Sequence, residues 1–478
     1  MNSLRIKSLK SASSSNFKSV VYVMSRDQRV FDNFALIHAC NIANKNGLPL
    51  VVVFNLYPEV KNRTRNQYEF MLKGLESVAS DLKNLNIEFL CTINKTANEL
   101  ANLIQDNFKP HTVVFDFSPL KGPSSFRTSF AKEIKCNCDL VDTHNIVPVW
   151  ITSDKEEFAA YTIRPKIKKL LEDFIEVPEN LEPILSKFTN SIGPDFCTYD
   201  YDFLIKSVTA KSLDNYMPIV EPGQYHALME LDKFIETKLI NYFVLRNDPT
   251  QNFQSNLSAY LHFGNLYSLT ITNKVLEFCK KNSVNVEVGF KQEIKDFESL
   301  SFNQKLKLST ESFLEELIIR KELSDNYCFY NNNHNSINGA KQWAIKTLKK
   351  HSADKRDVLY SIKELEFAKT KDHAWNAAQI QLITTGKIHG YMRMYWAKKM
   401  LEWTANAEQA IDNLIYLNDK YSLDGYDPNG YVGILWSIAG LHDRVWFERP
   451  IFGQIRYMNA NGLSKKFNVN KYIEQVQI

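Results

Sequence analysis

From Ser19 the chain alternates short β-branched and aromatic runs with longer segments whose apolar positions recur every three or four residues. VVYVM (20–24), LVVVFNL (50–56), IEFLCTI (87–93), TVVFDFS (112–118) and the stretch around CDLVDT (138–143) predict strands, mostly apolar along their length as strands covered on both faces are. Amphipathic segments near 34–46, 67–85, 96–107 and 124–135 predict helices between them. This alternation predicts an α/β domain, a doubly wound parallel sheet, over 19–176. Ahead of it, residues 1–18 carry Arg5, Lys7 and Lys10 and then Ser11 to Asn16, which reads as a disordered tail and not as a secretory signal. Prolines at 178, 183, 194, 218 and 222 interrupt the periodicity, so 177–224 reads as a linker. Residues 225–470 are helical in pattern: Asp372 starts a helix containing Trp375, Gly386 ends it, and Asn406 caps another running to about Tyr416. Asp424 to Gly430 is a cluster of turn signals.

At 478 residues the chain exceeds one ordinary core, which agrees with two domains. An apolar fraction of 44% with 23% charged residues is that of a soluble globular protein, and no apolar run approaches the roughly 20 residues of a membrane span. The expectation is a soluble intracellular monomer. Seven scattered cysteines, of which only Cys136 and Cys138 are close, predict reduced thiols and no metal site. A net charge of +4 says little until it is located. Cations concentrate between Lys341 and Lys399, a pattern that fits a solvated helical surface or a polyanion contact. No phosphate-binding glycine loop follows the first strand; MSRDQRVFDNFAL (24–36) stands there and reads locally as a strand-to-helix turn with charged caps.

The stretch YMRMYWAKKMLEWT (391–404) is dense in aromatic and cationic residues. Trp396 and Trp403 lie seven apart, on one face of a helix, with Arg393 and Met400 on the same stripe. By local pattern the tryptophans are core and Lys398 and Lys399 a wet rim. Trp375 lies on a separate helix that packs against this one if the two are neighbours.

Together with LNDKYSLDGYDPNGYVGILWSIAGLHDR (417–444), this stretch closely resembles the class II cyclobutane pyrimidine dimer photolyases of the photolyase/cryptochrome superfamily, a resemblance running from about Val20 to about Tyr457. It implies an α/β antenna-type domain followed by an all-α domain that binds flavin adenine dinucleotide (FAD), fully reduced and anionic when active. It also implies a carbon–carbon lyase that repairs cyclobutane pyrimidine dimers in UV-damaged DNA, double- or single-stranded, by light-driven electron transfer to a flipped-out dimer. YFVLRNDP (242–249) and QSNLSAYLHFG (254–264) are similar to the segments that hold the FAD pyrophosphate, which points to Tyr242, Arg246, Ser255, Asn256, Leu257 and Ser258. Hydroxyls and amides at a helix start suit a phosphate, although the same pattern serves as an ordinary cap.

The resemblance makes Arg393 and Asp424 an ion pair beside the isoalloxazine and sets Asn418 against its N5, with Asn429 the competing residue. A reduced anionic flavin needs a cation near its pyrimidine side and a neutral acceptor at N5. Trp375, Trp396 and Trp403 reproduce the spacing of the class II electron-transfer chain. Glu316, in FLEELIIRKEL (313–323) beside Glu315, matches the acid that meets the dimer's carbonyl edge. Class I relatives have a tryptophan soon after it, where this chain has Ile319, Arg320 and Lys321. That departure leaves base stacking to Trp436, with Met394 as a soft apolar contact. Arg444, Trp446, Arg449 and Arg456 fall where the family meets DNA at the lesion, with Trp446 as the side chain that fills the gap. A folate, deazaflavin or second flavin is possible in the α/β domain, and no motif selects one. The rival readings are a cryptochrome-like photoreceptor without repair and a (6-4) photolyase; the latter relies on pocket histidines, for which His262 and His442 are the candidates.

Overall fold

The computed structural model describes residues 1–12, 17–189, 191–289 and 296–476. Its sheet has seven strands: β1 (Ile6–Lys10), β2 (Ser19–Met24), β3 (Leu50–Leu56), β4 (Glu88–Ile93), β5 (Pro110–Asp116), β6 (Asn137–Val141) and β7 (Cys197–Thr198). They lie in the order β1-β6-β5-β2-β3-β4-β7. The five central strands are parallel, as their apolar runs predict, and the two edges are antiparallel. Successive side chains of one strand enter different cores. Val20, Tyr22 and Met24 of β2 pack with helices Phe34–Asn46 and Arg65–Asn84, whereas Val21 and Val23 pack with Ala97–Phe108 and Lys121–Glu133.

Two expectations need correction. The disordered tail expected at 1–18 instead begins with Asn2 capping a short turn and continues into β1, which pairs with β6. Arg5, fully buried, donates to Glu176 at 2.8 Å and to the carbonyls of Asn145 and Phe174 at 3.2 and 3.1 Å. Residues 13–16 of that expected tail lie outside the described residues. The expected linker at 177–224 holds β7 and a helix, Tyr201–Lys206. β1 and β7 pair outside β6 and β4 and so cover the two edges of the parallel sheet, a need that no local pattern announces.

The first core does not stop at the sheet. Leu231, Phe234, Leu314 and Ile318 of the helical region share it with Tyr22 and Val52. A separate core holds Trp375, Trp396, Trp403, Leu414 and Leu435. The MSRDQR block joins the two halves: Arg26 donates to both carboxylate oxygens of Asp325 at 2.9 and 3.2 Å, and Arg29 pairs with Asp27 at 2.7 Å while donating to the Gly264 carbonyl at 3.0 Å. Its charges are thus buried interdomain contacts more than caps, although Asn33 does cap the following helix. Among the described residues no helix is long and apolar enough to cross a membrane.

Candidate active site

The segment carrying Glu316 departs from regular helix. Residues Glu315–Arg320 form a π-helical turn between helices Phe302–Leu314 and Lys321–Tyr330, a widening that recurs at functional sites. Glu315 turns back to Arg164 at 2.6 Å. Glu316, its side chain 45% exposed, instead accepts from Arg246 at 2.9 Å at the rim of a cavity of about 210 Å³. Tyr242, Ser255, Leu257, Ser258, Asp424 and Asn429 also line this cavity. The Arg246 guanidinium lies 5.5 Å from the Tyr242 ring centre.

Alternate residues of the same loop face a second concavity of about 340 Å³, which Gln254 and Asn256 share with Glu230, Lys238, Lys387 and His389. The helix start expected here is modest, because helix Ser258–His262 has only five residues. Asn256 adopts a left-handed conformation (φ 60°), so the amides around it belong to a turn. Its side chain donates to Glu230 at 3.2 Å and accepts from Lys387 at 2.6 Å. Burial pushes Lys387 down to about 8 against the pull of Asp424, and with Lys387 nearby it pushes His389 down to about 4. Two lysines beside one glutamate make this concavity suited to an anion.

Several buried polar atoms here find no hydrogen-bond partner among the described residues: Arg246 Nε, Asp424 Oδ1, His389 Nε2 and the Tyr216 hydroxyl. Arg393 approaches Asp424 only to 3.6 Å. Such atoms are costly unless a polar ligand satisfies them. Asn418 is buried, its amide accepting from Ser422 at 3.2 Å and donating to Asp419 at 3.3 Å, close against Gly430. Asn429 lines the cavity and donates twice to Asp427.

The tryptophans form a connected row. Trp375 stacks on Trp396 with centroids 6.4 Å apart and planes 12° apart, and meets Trp403 edge-on at 5.4 Å. Trp403 is the C-cap of helix Gly390–Glu402, and both it and Trp396 pack against Trp375. The Trp375 indole donates to the Trp396 carbonyl and the Trp396 indole to Gln379, both at 2.9 Å. Trp403 touches Tyr360 at 5.2 Å and forms one wall of an open groove of about 710 Å³.

Trp436 and Met394 are partly exposed, and neither is in the lining of the Glu316 cavity. Trp436 connects to it through helix Pro428–Ala439, on which Asn429, Gly433 and Trp436 fall on one face. Gly433 has open space where a Cβ would stand, so nothing in the fold requires a glycine there. Trp446 lies between the guanidinium groups of Arg444 and Arg456, 4.5 and 4.3 Å from its ring centre, and Arg456 is held by Asp443 at 2.8 Å. Arg449 lies 5.1 Å over the Tyr457 ring. Lys398 is no wet rim: it is fully buried, its ammonium 5.1 Å from the Trp436 ring centre and donating to the Ser437 carbonyl. His262 pairs with Asp427 at 3.2 Å, whereas burial pushes His442 down to about 3 and its Nε2 has no hydrogen-bond partner among the described residues. Sequence reasoning missed the roles of Lys238, Lys387, Lys398, His389, Gly433 and Asp443, since what packs against each of them leaves no local sign in the sequence.

The DNA photolyase family model matches residues 20–184. The chain is 41% identical over 469 residues to the deoxyribodipyrimidine photo-lyase of Arabidopsis thaliana, covering 96% of this chain and 88% of the relative. It is 39% identical over 466 residues to that of Potorous tridactylus, covering 96% and 81%. Among solved structures, a class III photolyase from Agrobacterium tumefaciens aligns with a TM-score of 0.70 at 17% identity, over 97% of this chain and 87% of the other. A cryptochrome from Synechocystis sp. PCC6803 aligns at 0.71 and 14%, over 97% and 89%. The two structures share the fold, and the sequence identity extends through both the sheet and the indole-bearing core; the chain therefore belongs to the DNA photolyase family.

Proposed function

We propose that this protein repairs cyclobutane pyrimidine dimers in DNA with light, holding FAD across the two concavities and receiving the flipped dimer beside Glu316. What carries the reading is the convergence, around the Ser255–Ser258 turn, of a cation-rich concavity, unsatisfied buried polar atoms and the Arg393–Asp424 pair. These features fit a dinucleotide with a charged middle and a polar aromatic end. Ser255, Asn256, Leu257 and Ser258, with Lys238 and Lys387, would hold the pyrophosphate; Tyr242 and Arg246 would close one side. Arg393 and Asp424 would flank the isoalloxazine, with Asn418 or Asn429 at its N5.

When bound and reduced, FAD supplies the photochemical electron that opens the cyclobutane ring and then takes it back. The chain's own residues prepare the surroundings. Arg393 offsets negative charge in a partly enclosed place where water cannot. Arg246 fixes the Glu316 carboxyl group at the cavity rim, where the guanidinium would offset charge arriving on a dimer carbonyl. Trp396, Trp375 and Trp403 form a row of oxidisable side chains from the interior to the open groove, able to resupply electrons. Trp436, Met394 and the space beside Gly433 would wall the dimer, while Arg444, Arg449 and Arg456 take the phosphates as a monomer binds the strand.

The test is recovery of thymine absorbance under blue or near-ultraviolet light, using flavin-loaded, reduced protein and a thymine-dimer oligonucleotide. Light-dependent recovery that disappears with the flavin removed is the expected result. Dimer binding without recovery, or a flavoprotein showing neither, would overturn the repair reading in favour of a photoreceptor.

A further inference from the structure

Phe447 is the most exposed aromatic side chain among the described residues, 88% accessible, with Val445 beside it 50% accessible. It is not on a loose loop. The segment is closed by bonds from the Trp446 amide to the Gln454 carbonyl at 3.0 Å and between Arg449 and Gly453 at 2.9 and 2.8 Å. It is pinned to the body by the Ile451 amide on Asp354 at 2.7 Å and the Gln454 amide on Thr347 at 3.1 Å. Glu448 accepts from Lys350 at 2.6 Å and lies 2.8 Å from a His351 ring nitrogen. An aromatic ring held in water on a braced segment is ready for a flat apolar partner and needs little ordering when it meets one.

The neighbour expected to fill the gap, Trp446, is in a different situation. Its half-buried ring lies against the Arg444 and Arg456 guanidinium groups, and its indole N–H donates to Asp443 at 3.3 Å. To enter DNA it would have to leave both guanidinium groups and that bond. Phe447 breaks nothing. The charges around it also suit DNA: Arg444 and Arg449 are exposed, while the nearby acids Asp443 and Glu448 are neutralised by Arg456 and by Lys350. Phosphates approaching the segment would therefore meet cations.

We propose that Phe447, and not Trp446, is the side chain this protein inserts into the base stack to fill the space vacated by the flipped dimer, with Trp446 kept as the spacer that orients Arg444 and Arg456. This rests on the repair reading above. An apolar wedge between bases is a known way of holding opened DNA, and a phenyl ring presents the π-face that stacking requires.

A wedge matters most where an opposing strand leaves a hole to fill, so the readout is the ratio of affinities for one dimer in duplex and in single-stranded DNA, measured in the dark by anisotropy with the full flavin-loaded chain. Phe447→Ala is expected to lower the duplex-to-single-strand ratio about tenfold, a typical worth of one stacked base, and Phe447→Trp to restore most of it. Trp446→Ala, by loosening the arginines, is expected to weaken both substrates by similar factors. Phe203→Ala, a control on an exposed aromatic of the α/β domain (51% accessible), leaves the ratio unchanged. An unaltered ratio in Phe447→Ala, or a lowered ratio in Trp446→Ala alone, overturns the assignment. A wild-type protein that does not prefer dimer-bearing over intact DNA overturns the repair reading, and this inference with it.

Discussion

Trp375 is the indole that both of the others touch, and a contact map of this kind makes a sharper claim than spacing does. Trp396 and Trp403 have no direct ring contact, so removing Trp375 interrupts the row even though both remaining indoles are intact. Trp375→Phe is therefore expected to slow photoreduction of oxidised flavin roughly tenfold or more, while repair by protein whose flavin is chemically reduced beforehand stays nearly intact. Stopped-flow absorbance after a light pulse gives the first rate and dimer repair gives the second. Because Phe fills most of the indole's volume, the stability loss is expected to stay near about 1–2 kcal/mol. An equal fall in both assays would assign Trp375 to packing alone. The sequence holds the identities of these residues but not their order: a spacing of seven suggests a shared face for Trp396 and Trp403, and only the packing shows Trp375 touching both.

At the scale of elements, the pair of helices Gly390–Glu402 and Pro428–Ala439 shows where pattern reading succeeds and where it stops. Caps and apolar runs are local properties, so Asp372, Gly386 and Asn406 mark helix ends correctly, and the five central strands lie within a few residues of expectation. The π-helical turn at Glu315–Arg320 and the burial of Lys398 depend on what packs opposite, which no window of sequence contains. Lys398 sits between these two helices under Trp436, and burial pushes it down from 10.5 to about 7 despite the attraction of Asp443, with Arg456 pushing the same way. Between about pH 7 and pH 10 the unfolded chain holds a proton on Lys398 that the folded protein does not. In that window this residue makes stability rise with pH, and below it the folded state carries the full cost of a buried ammonium. Lys398→Met is expected to flatten that rise, a difference of up to a few kcal/mol between the two proteins across the window. Chemical denaturation of both at several pH values measures it. Subtracting one protein from the other removes the contributions of Lys387, which has the same sign, and of Glu322, whose burial pushes it up to about 8 and which has the opposite sign. Parallel pH curves would mean that Lys398 is solvated.

For the whole molecule the question is why the α/β half is attached so firmly to a site built in the helical half. The Arg26–Asp325 pair answers part of it, because Arg26 also reaches within 4.0 Å of Asp427, the cap of the helix that presents Asn429 and Trp436. Asp325 further accepts from Asn145 at 3.1 Å, and the adjoining Glu322 accepts from the Ile146 amide at 2.6 Å. Burial opposes ionisation of Asp325, but Arg26 and Lys321 outweigh it and hold the carboxylate below its ordinary range. A network of this kind is worth little compared with a well-packed apolar substitute, yet breaking one partner leaves a buried charge alone. Asp325→Leu is accordingly expected to cost about 3–5 kcal/mol, and the double variant with Arg26→Met to recover most of that loss. The shared core of Tyr22, Val52, Leu231 and Leu314 should keep the double variant unfolding in one step in denaturant. If Asp325→Leu costs under about 1 kcal/mol, the pair is solvated and the halves are joined by apolar packing alone; if instead the double variant unfolds in two steps, the charges and not the shared core are what make the two halves fold as one.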